Sequence, residues 1–350
     1  DIIAKVKSDI LLVADEAHNF GSEFLRSKLD GKYTYRLALS ATLDRHGDEE
    51  GTEFLYHYFG KKCIEYDLER AINEKKLTPY KYYPIVTALT EKEYDKYDEL
   101  SRRIKKCIKN GKNGKITLTE QGKRLALERA RVVSGASEKV ELLEDYITPY
   151  INDKHILVYC GAASMMDDTS DITETFDEDL RQIDVVTNLL GNKLKMKVSQ
   201  FTSKEDMYER AVLKKEFMSG DDLQVLIAIK CLDEGVNIPA IKTAFILAST
   251  TNPKEYIQRR GRVLRLSKGK EYAEIYDFIT LPRPLNEVSS ITTEQIQREL
   301  TLVKNELVRA EEFARISLNK VCAMSIIDEI KDAYGMNEIS LSYEEDYFNE

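Results

Sequence analysis

Apolar residues along this chain fall into short unbroken runs, separated by stretches in which they recur every three or four positions. The run at 10–14 lacks polar alternation, and further strands are expected at 33–39, 82–89, 155–160, 195–200, 223–229, 243–248 and 273–278. Runs of that kind suit strands buried on both faces of a parallel sheet. Between them the spacing is helical. One helix is expected from Thr90, a hydroxyl N-cap with Glu93 three residues on, to about residue 110. Others are expected over 119–133, 137–146, 180–190 and 203–218, from Lys254, and over 293–334. Gly47 to Gly51 reads as a loop, and the acidic stretch 167–179 reads as another. Strand–helix alternation of this order predicts an α/β fold with a doubly wound parallel sheet.

Four segments follow: 1–89 as the incomplete C-terminal part of a first α/β lobe, 90–134 as a helical linker or inserted hairpin, 135–281 as a complete second lobe, and 282–350 as a helical extension with an acidic tail. The chain has 350 residues, enough for two domains with appendages, and is 42% hydrophobic and 32% charged, as globular proteins are. No apolar run reaches membrane-span length, so no membrane contact and a cytoplasmic setting are expected. The five cysteines are scattered without a Cys-x-x-Cys pair, which argues for reduced thiols and against a zinc ribbon. A net charge of −9 predicts no bulk attraction to nucleic acid, so any contact must come from a local patch. Arg102, Arg103, Lys105 and Lys106, running on to Lys109, Lys112 and Lys115, form the candidate patch.

Candidate chemistry sits where apolar runs end. The first run closes on Asp15-Glu16-Ala17-His18, at the carboxyl end of a strand, where open α/β sheets bind ligands. An Asp there can hold Mg²⁺, and an adjacent Glu can orient and deprotonate a water; phosphoanhydride hydrolysis needs both. The next run ends in Ser40-Ala41-Thr42. A later one is followed by Glu234-Gly235-Val-Asn237-Ile-Pro239, where the glycine permits close backbone approach. Gln258-Arg-Arg-Gly261-Arg262-Val-Leu-Arg265 then places two arginines three apart, a helical spacing that points both guanidiniums one way. Arginine suits phosphate oxygens and the charge that develops in phosphoryl transfer.

In this order the motifs resemble superfamily 2 helicases and translocases of the DEAD/DEAH-box type: a DEAH motif II, a SAT motif III, a motif V and a QxxGRxxR motif VI, over about residues 9–278. The wording of the last two is most similar to the type III restriction helicase-like branch. The resemblance implies two RecA-like lobes, partial and complete respectively, with ATP and Mg²⁺ between them. It implies that Asp15 holds Mg²⁺, Glu16 activates water, and His18 and Gln258 couple the nucleotide across the cleft. Ser40 and Thr42 would link nucleotide state to lobe movement, and Arg262 and Arg265 would reach the γ-phosphate. Glu234 and Gly235 would lie beside nucleotide and nucleic acid, while Gly161, Ser164 and Thr202 would meet the phosphate backbone. DNA is favoured over RNA as partner, and a nuclease or methyltransferase is a candidate companion.

Two features depart from the family pattern. Asn237 stands where Asp is usual. Each of the six Gly-Lys pairs is followed by a residue other than Ser or Thr, so the chain has no phosphate-cradling Gly-x-x-x-x-Gly-Lys-[Ser/Thr] loop. With Asp1 at its start, the expectation is a C-terminal fragment of a longer ATP-dependent enzyme, inactive by itself. The alternative is a helicase-like scaffold that binds nucleic acid or a protein without catalysis. A metalloprotease reading fails, because the four histidines do not pair at i, i+4.

Overall fold

Six of the apolar runs assemble into one sheet. The computed structural model describes residues 5–29, 31, 33–40, 43, 48–110, 116–161, 182–202, 204–229, 238–248 and 253–336. The first segment contributes β1 (Leu11–Ala14) and β2 (Tyr35–Ala38), a parallel pair with Leu11 opposite Tyr35 and Ala14 opposite Ala38. Helix α1 (Glu23–Arg26) lies between these strands, and α2 (Glu49–Phe59) and α3 (Leu68–Asn73) follow them. Helix α2 starts inside the stretch read as a loop. Asp48 accepts from the Gly51 N–H at 2.8 Å, and this cap starts the helix where a glycine-flanked acidic run suggested a turn.

The strand β3 (Tyr80–Ala88) then enters the large sheet. Helices α4 (Glu91–Lys105) and α5 (Glu120–Ser134) pack as a hairpin, joined through a small antiparallel ribbon of β4 (Ile108–Asn110) and β5 (Ile116–Leu118). The Thr90/Glu93 capping box is formed in full. After α6 (Glu138–Ile147) come β6 (Ile156–Cys160), helix α7 (182–187) with a π-turn over Asn188–Lys193, and β7 (Val198–Phe201). The chain continues through α8 (Met207–Ser219), β8 (Val225–Ile229), β9 (Thr243–Ile246), α9 (Pro253–Val263) and β10 (Ala273–Leu281). Two long helices, α10 (Thr293–Ala314) and α11 (Lys320–Tyr334), close the described chain.

The sheet order is β3-β10-β9-β6-β8-β7, all parallel. This is a RecA-like α/β lobe, with helices on both faces. Alternate residues of each strand feed two cores. Tyr82, Leu157, Tyr159, Leu226 and Ile275 face α8, α9, α10 and α11. Val158, Ile227, Phe245 and Phe278 face α6, α7 and the π-turn. Strand β3, which the division at residue 89 groups with the first segment, is an edge of this sheet. It pairs with β10 over its whole length, from Tyr80 opposite Ala273 to Ala88 opposite Leu281.

Several charged residues lie inside this lobe, and four of them are close together. Arg309 of α10 bonds Asp277 of β10 at 3.0 Å and Glu306 at 2.8 Å, and Glu306 accepts the Thr280 N–H at 3.1 Å. Lys139 donates to the Val133 carbonyl at 2.8 Å and is wholly buried. The network joins the sheet, helix α10 and the end of the α4–α5 hairpin. Buried charges persist only when paired in this way.

Candidate functional site: the acids at the end of β1 and the helix α9

Asp15 and Glu16 follow β1 directly. Glu16 has φ 48° and ψ 45°, in the left-handed region, where a residue with a Cβ costs about 1–2 kcal/mol. Its N–H donates to Oδ1 of Asp15 at 2.9 Å. The turn sends the chain at once into a 3₁₀ helix over Ala17–Gly21, anchored by the Ala17 N–H on the Leu39 carbonyl of the neighbouring strand at 3.0 Å. Strain of this kind, held in place by surrounding bonds, clusters at functional sites. Gly51 of α2 seats against the same 3₁₀ helix. A Cβ there would lie 2.7 Å from the Gly21 carbonyl oxygen and 2.4 Å from Oδ2 of Asp48.

The bend brings the first two motifs together. His18 is buried, with Nδ1 2.9 Å from the Ser40 hydroxyl and 3.4 Å from a Glu16 oxygen. From the other segment, Nε2 of Gln258 on α9 lies 3.2 Å and 3.3 Å from the two Glu16 carboxylate oxygens. Asp15, Glu16, His18, Ser40 and Gln258 thus form one constellation, built from two strand ends and a helix distant in sequence.

Arg262 lies one helical turn beyond Gln258. Arg265 does not share that helix: α9 ends at Val263, and the Arg265 N–H reaches back to the Arg262 carbonyl at 3.4 Å in the closing turn. The two guanidiniums still share a field. Burial first, and then the neighbouring Arg262 charge, lower the pKa of Arg265. The turn is fixed by Thr78, whose N–H donates to the Leu264 carbonyl at 2.7 Å, and by Lys270, whose Nζ donates to the carbonyls of Arg265, at 3.0 Å, and Val263.

The expected nucleic-acid residues are dispersed. Gly161 donates its N–H to Gln182 at 2.9 Å. Thr202 is buried, and its hydroxyl bonds Glu205 at 3.0 Å, so a phosphate oxygen would have to displace that carboxylate. Arg102 and Arg103 pair along α4 with Asp98 (2.8 Å) and Glu99 (3.6 Å), while Lys105 and Lys106 are exposed at its end. Thr42, Ser164, Glu234, Gly235 and Asn237 lie outside the described residues, as does the acidic stretch 167–179. Two residues beside the motif were not singled out by sequence. Arg259 is buried over the Tyr159 ring at 4.7 Å, and Arg260 is bonded to Glu312 of α10 at 2.8 Å. Consecutive arginines in a basic helix carry no sign of burial; only the aromatic strand and the late acidic helix supply it.

Mg²⁺ favours one or two carboxylates together with substrate phosphates and water, not an all-protein cage. The residues present fit that description. Asp15 offers an exposed carboxylate, and among the described residues no group of three or more His, Cys, Asp or Glu could hold a metal.

Residues 138–267 match the helicase conserved C-terminal domain. Together with the motif order, the match bears out the resemblance to superfamily 2 helicases. The DNA 3'-5' translocase XPB2 of Sulfurisphaera tokodaii is 26% identical over 278 residues, covering 75% of this chain and 56% of that protein. The chain spans about half the length of the curated relatives it matches. Among solved structures, the ATP-dependent Type ISP restriction-modification enzyme LlaBIII bound to DNA aligns with 95% of this chain and 23% of its own, at 14% identity and TM-score 0.49. The Sulfolobus solfataricus SWI2/SNF2 ATPase core in complex with dsDNA aligns with 91% and 75%, at 13% identity and TM-score 0.42. Among the described residues no helix is long and apolar enough to cross a membrane.

Proposed function

We propose that this chain is the motor portion of an ATP-dependent helicase or translocase of the cytoplasm, with DNA favoured as its track and the type III restriction helicase-like branch as its kin. The carrying observation is the contact of Gln258 with Glu16, which joins the arginine-bearing helix to the acids after β1.

In this reading Asp15 holds Mg²⁺, which when bound would neutralise phosphate charge. Glu16 orients a water and accepts its proton. The left-handed turn keeps its carboxylate beside His18 and Gln258, so one face of the water site is set before nucleotide arrives. Arg262 and Arg265 stabilise negative charge on the γ-phosphate. Gln258 reports that state to the second lobe, and the His18–Ser40 bond carries it into β2. Lys105 and Lys106, at the end of α4, supply a local positive patch on a chain of net charge −9.

The 350 residues contain no phosphate-binding loop, so the reading includes no ATP turnover by this chain alone. Purified chain is assayed for Mg·ATP hydrolysis with and without duplex DNA. A DNA-stimulated rate lost in Glu16→Gln would overturn the inactivity. When the chain is joined to a lobe that carries a phosphate loop, a DNA-stimulated rate is expected that falls about 10³–10⁵-fold in Arg262→Ala. Equal rates there would favour the scaffold reading.

A further inference from the structure

We infer that Arg260 is a positioning residue through which the helix α10 sets the direction of the arginine-bearing helix α9. Its purpose rests on the nucleotide reading above; the mechanical link does not.

Arg260 is 1% exposed, although it sits in the middle of a basic helix. Burying a guanidinium costs several kcal/mol, offset here by bonds from both Nη atoms while Nε has no hydrogen-bond partner among the described residues. Its Nη2 bonds Oε1 of Glu312 at 2.8 Å, and its Nη1 bonds the Glu312 carbonyl at 2.9 Å. Its plane lies 4.7 Å from the centre of the Phe313 ring. Tyr256, one turn earlier on α9, meets the same ring at 5.8 Å. Phe313 is itself fixed, because the Tyr80 hydroxyl donates to its carbonyl at 2.6 Å.

Helix α9 therefore has two working stripes. Tyr256 and Arg260, four apart, are held by the last turns of α10. Gln258 and Arg262, also four apart, lie on a second stripe offset around the helix, and Gln258 reaches Glu16. The far side of the link is equally firm, since Arg309, one turn before Glu312, is bonded to Asp277 of the sheet at 3.0 Å. A shift of α10 relative to β10 thus passes through the bonds of Arg260 to Glu312 and through the Phe313 ring shared with Tyr256 to the axis on which Gln258 and Arg262 are mounted. A ligand or protein that moves α10 and α11 would regulate the nucleotide side of the lobe without touching it.

Hydrogen–deuterium exchange of the purified chain tests this, comparing wild type, Arg260→Met, Arg260→Lys and Glu312→Gln. In Arg260→Met, amides of 253–265 are expected to exchange at least about tenfold faster, the size expected for losing a charge-assisted bond. Amides of β10 should stay within about twofold of wild type. Arg260→Lys, which keeps the charge, should recover part of the protection, and Glu312→Gln should fall between. Unchanged exchange over 253–265 in a variant whose β10 remains protected would overturn the proposal. So would loss spread evenly over α9 and β10 in both Arg260→Lys and Glu312→Gln, which is general destabilisation. A further arm adds Mg²⁺ and a non-hydrolysable ATP analogue to the chain joined to a lobe that carries a phosphate loop. If nucleotide leaves wild-type α9 unchanged while the Arg260 dependence stands, the nucleotide reading fails and the link survives. If nucleotide protects α9 equally in wild type and Arg260→Met, Arg260 does not position the arginines.

Discussion

Gln258 and Glu16, 242 positions apart, meet through one amide nitrogen placed almost equally between two carboxylate oxygens, at 3.2 Å and 3.3 Å. A neutral donor facing an acid holds it without removing its charge. Gln258→Glu would set two carboxylates against each other. The expected result is faster amide exchange over residues 15–22 and 253–263, with the strands of the six-stranded sheet unaffected. An unchanged exchange map would mean that the contact does not hold the two segments together.

The left-handed turn at Glu16 gives a second expectation. Replacing Glu16 by Gly relieves about 1–2 kcal/mol of backbone strain while removing the carboxylate. The variant should melt no lower than wild type, and in an ATP-competent form it should lose about 10²–10⁴ in hydrolysis rate, the size of a general-base contribution. Melting curves and a phosphate-release assay separate the two effects.

Gly51 predicts the opposite balance. An alanine Cβ would press on the Gly21 carbonyl and on the Asp48 cap. Gly51→Ala should cost roughly 1–3 kcal/mol, as overpacking does, and should loosen the 3₁₀ helix that carries His18. Urea unfolding together with exchange of residues 17–26 reads both.

Lys139 makes stability depend on pH. Burial lowers its pKa from 10.5 to about 8, against the raising influence of Glu306 and Asp277. Between about pH 8 and 10.5 the folded chain has shed a proton that the unfolded chain still holds, so unfolding takes up a proton. Stability contributed by this group therefore rises with pH across that window, by at most about 1.4 kcal/mol per pH unit. Below pH 8 the group is charged in both states and the slope vanishes. Lys139→Met should reduce the increment in melting temperature between pH 8 and 10, leaving the share that Lys270, also lowered to about 8 by burial, contributes in the same direction.

The Arg309 network predicts a large single loss. Arg309→Met strands Asp277 and Glu306 in the interior, where an unpaired charge costs about 3–5 kcal/mol. Asp277→Asn with Arg309→Met should be milder than the sum of the two single changes. A double-mutant cycle by urea denaturation measures the coupling, and strict additivity would contradict the pairing.

Much of this lobe could be read from residue order because parallel strands buried on both faces leave unbroken apolar runs. Ile156–Cys160, buried at every position, is the clearest case. The constellation of Asp15, Glu16, His18, Ser40 and Gln258 was legible for a different reason, since its members follow strand ends or sit in an arginine-bearing helix. What stayed hidden was interior charge. Lys139, Arg260, Asp277, Glu306 and Arg309 look like surface residues in a chain that is 32% charged, because what buries them lies largely on other elements. The β4–β5 ribbon was also missed, being three residues a side and overshadowed by strong helical spacing around it. Membership of β3 in the large sheet rests on pairing with a strand far along the chain, which no local pattern records.

That distant pairing bears on synthesis. Thr87 of β3 bonds Thr280 of β10 across 193 positions. At roughly 5–20 residues per second a ribosome needs on the order of 10–40 s to make the intervening chain. During that interval β3 has no neighbour for its backbone groups, and its tyrosines have no covering helix. Premature termination before residue 273 would leave that edge permanently open, so truncated products should be the species that chaperones and proteases meet first.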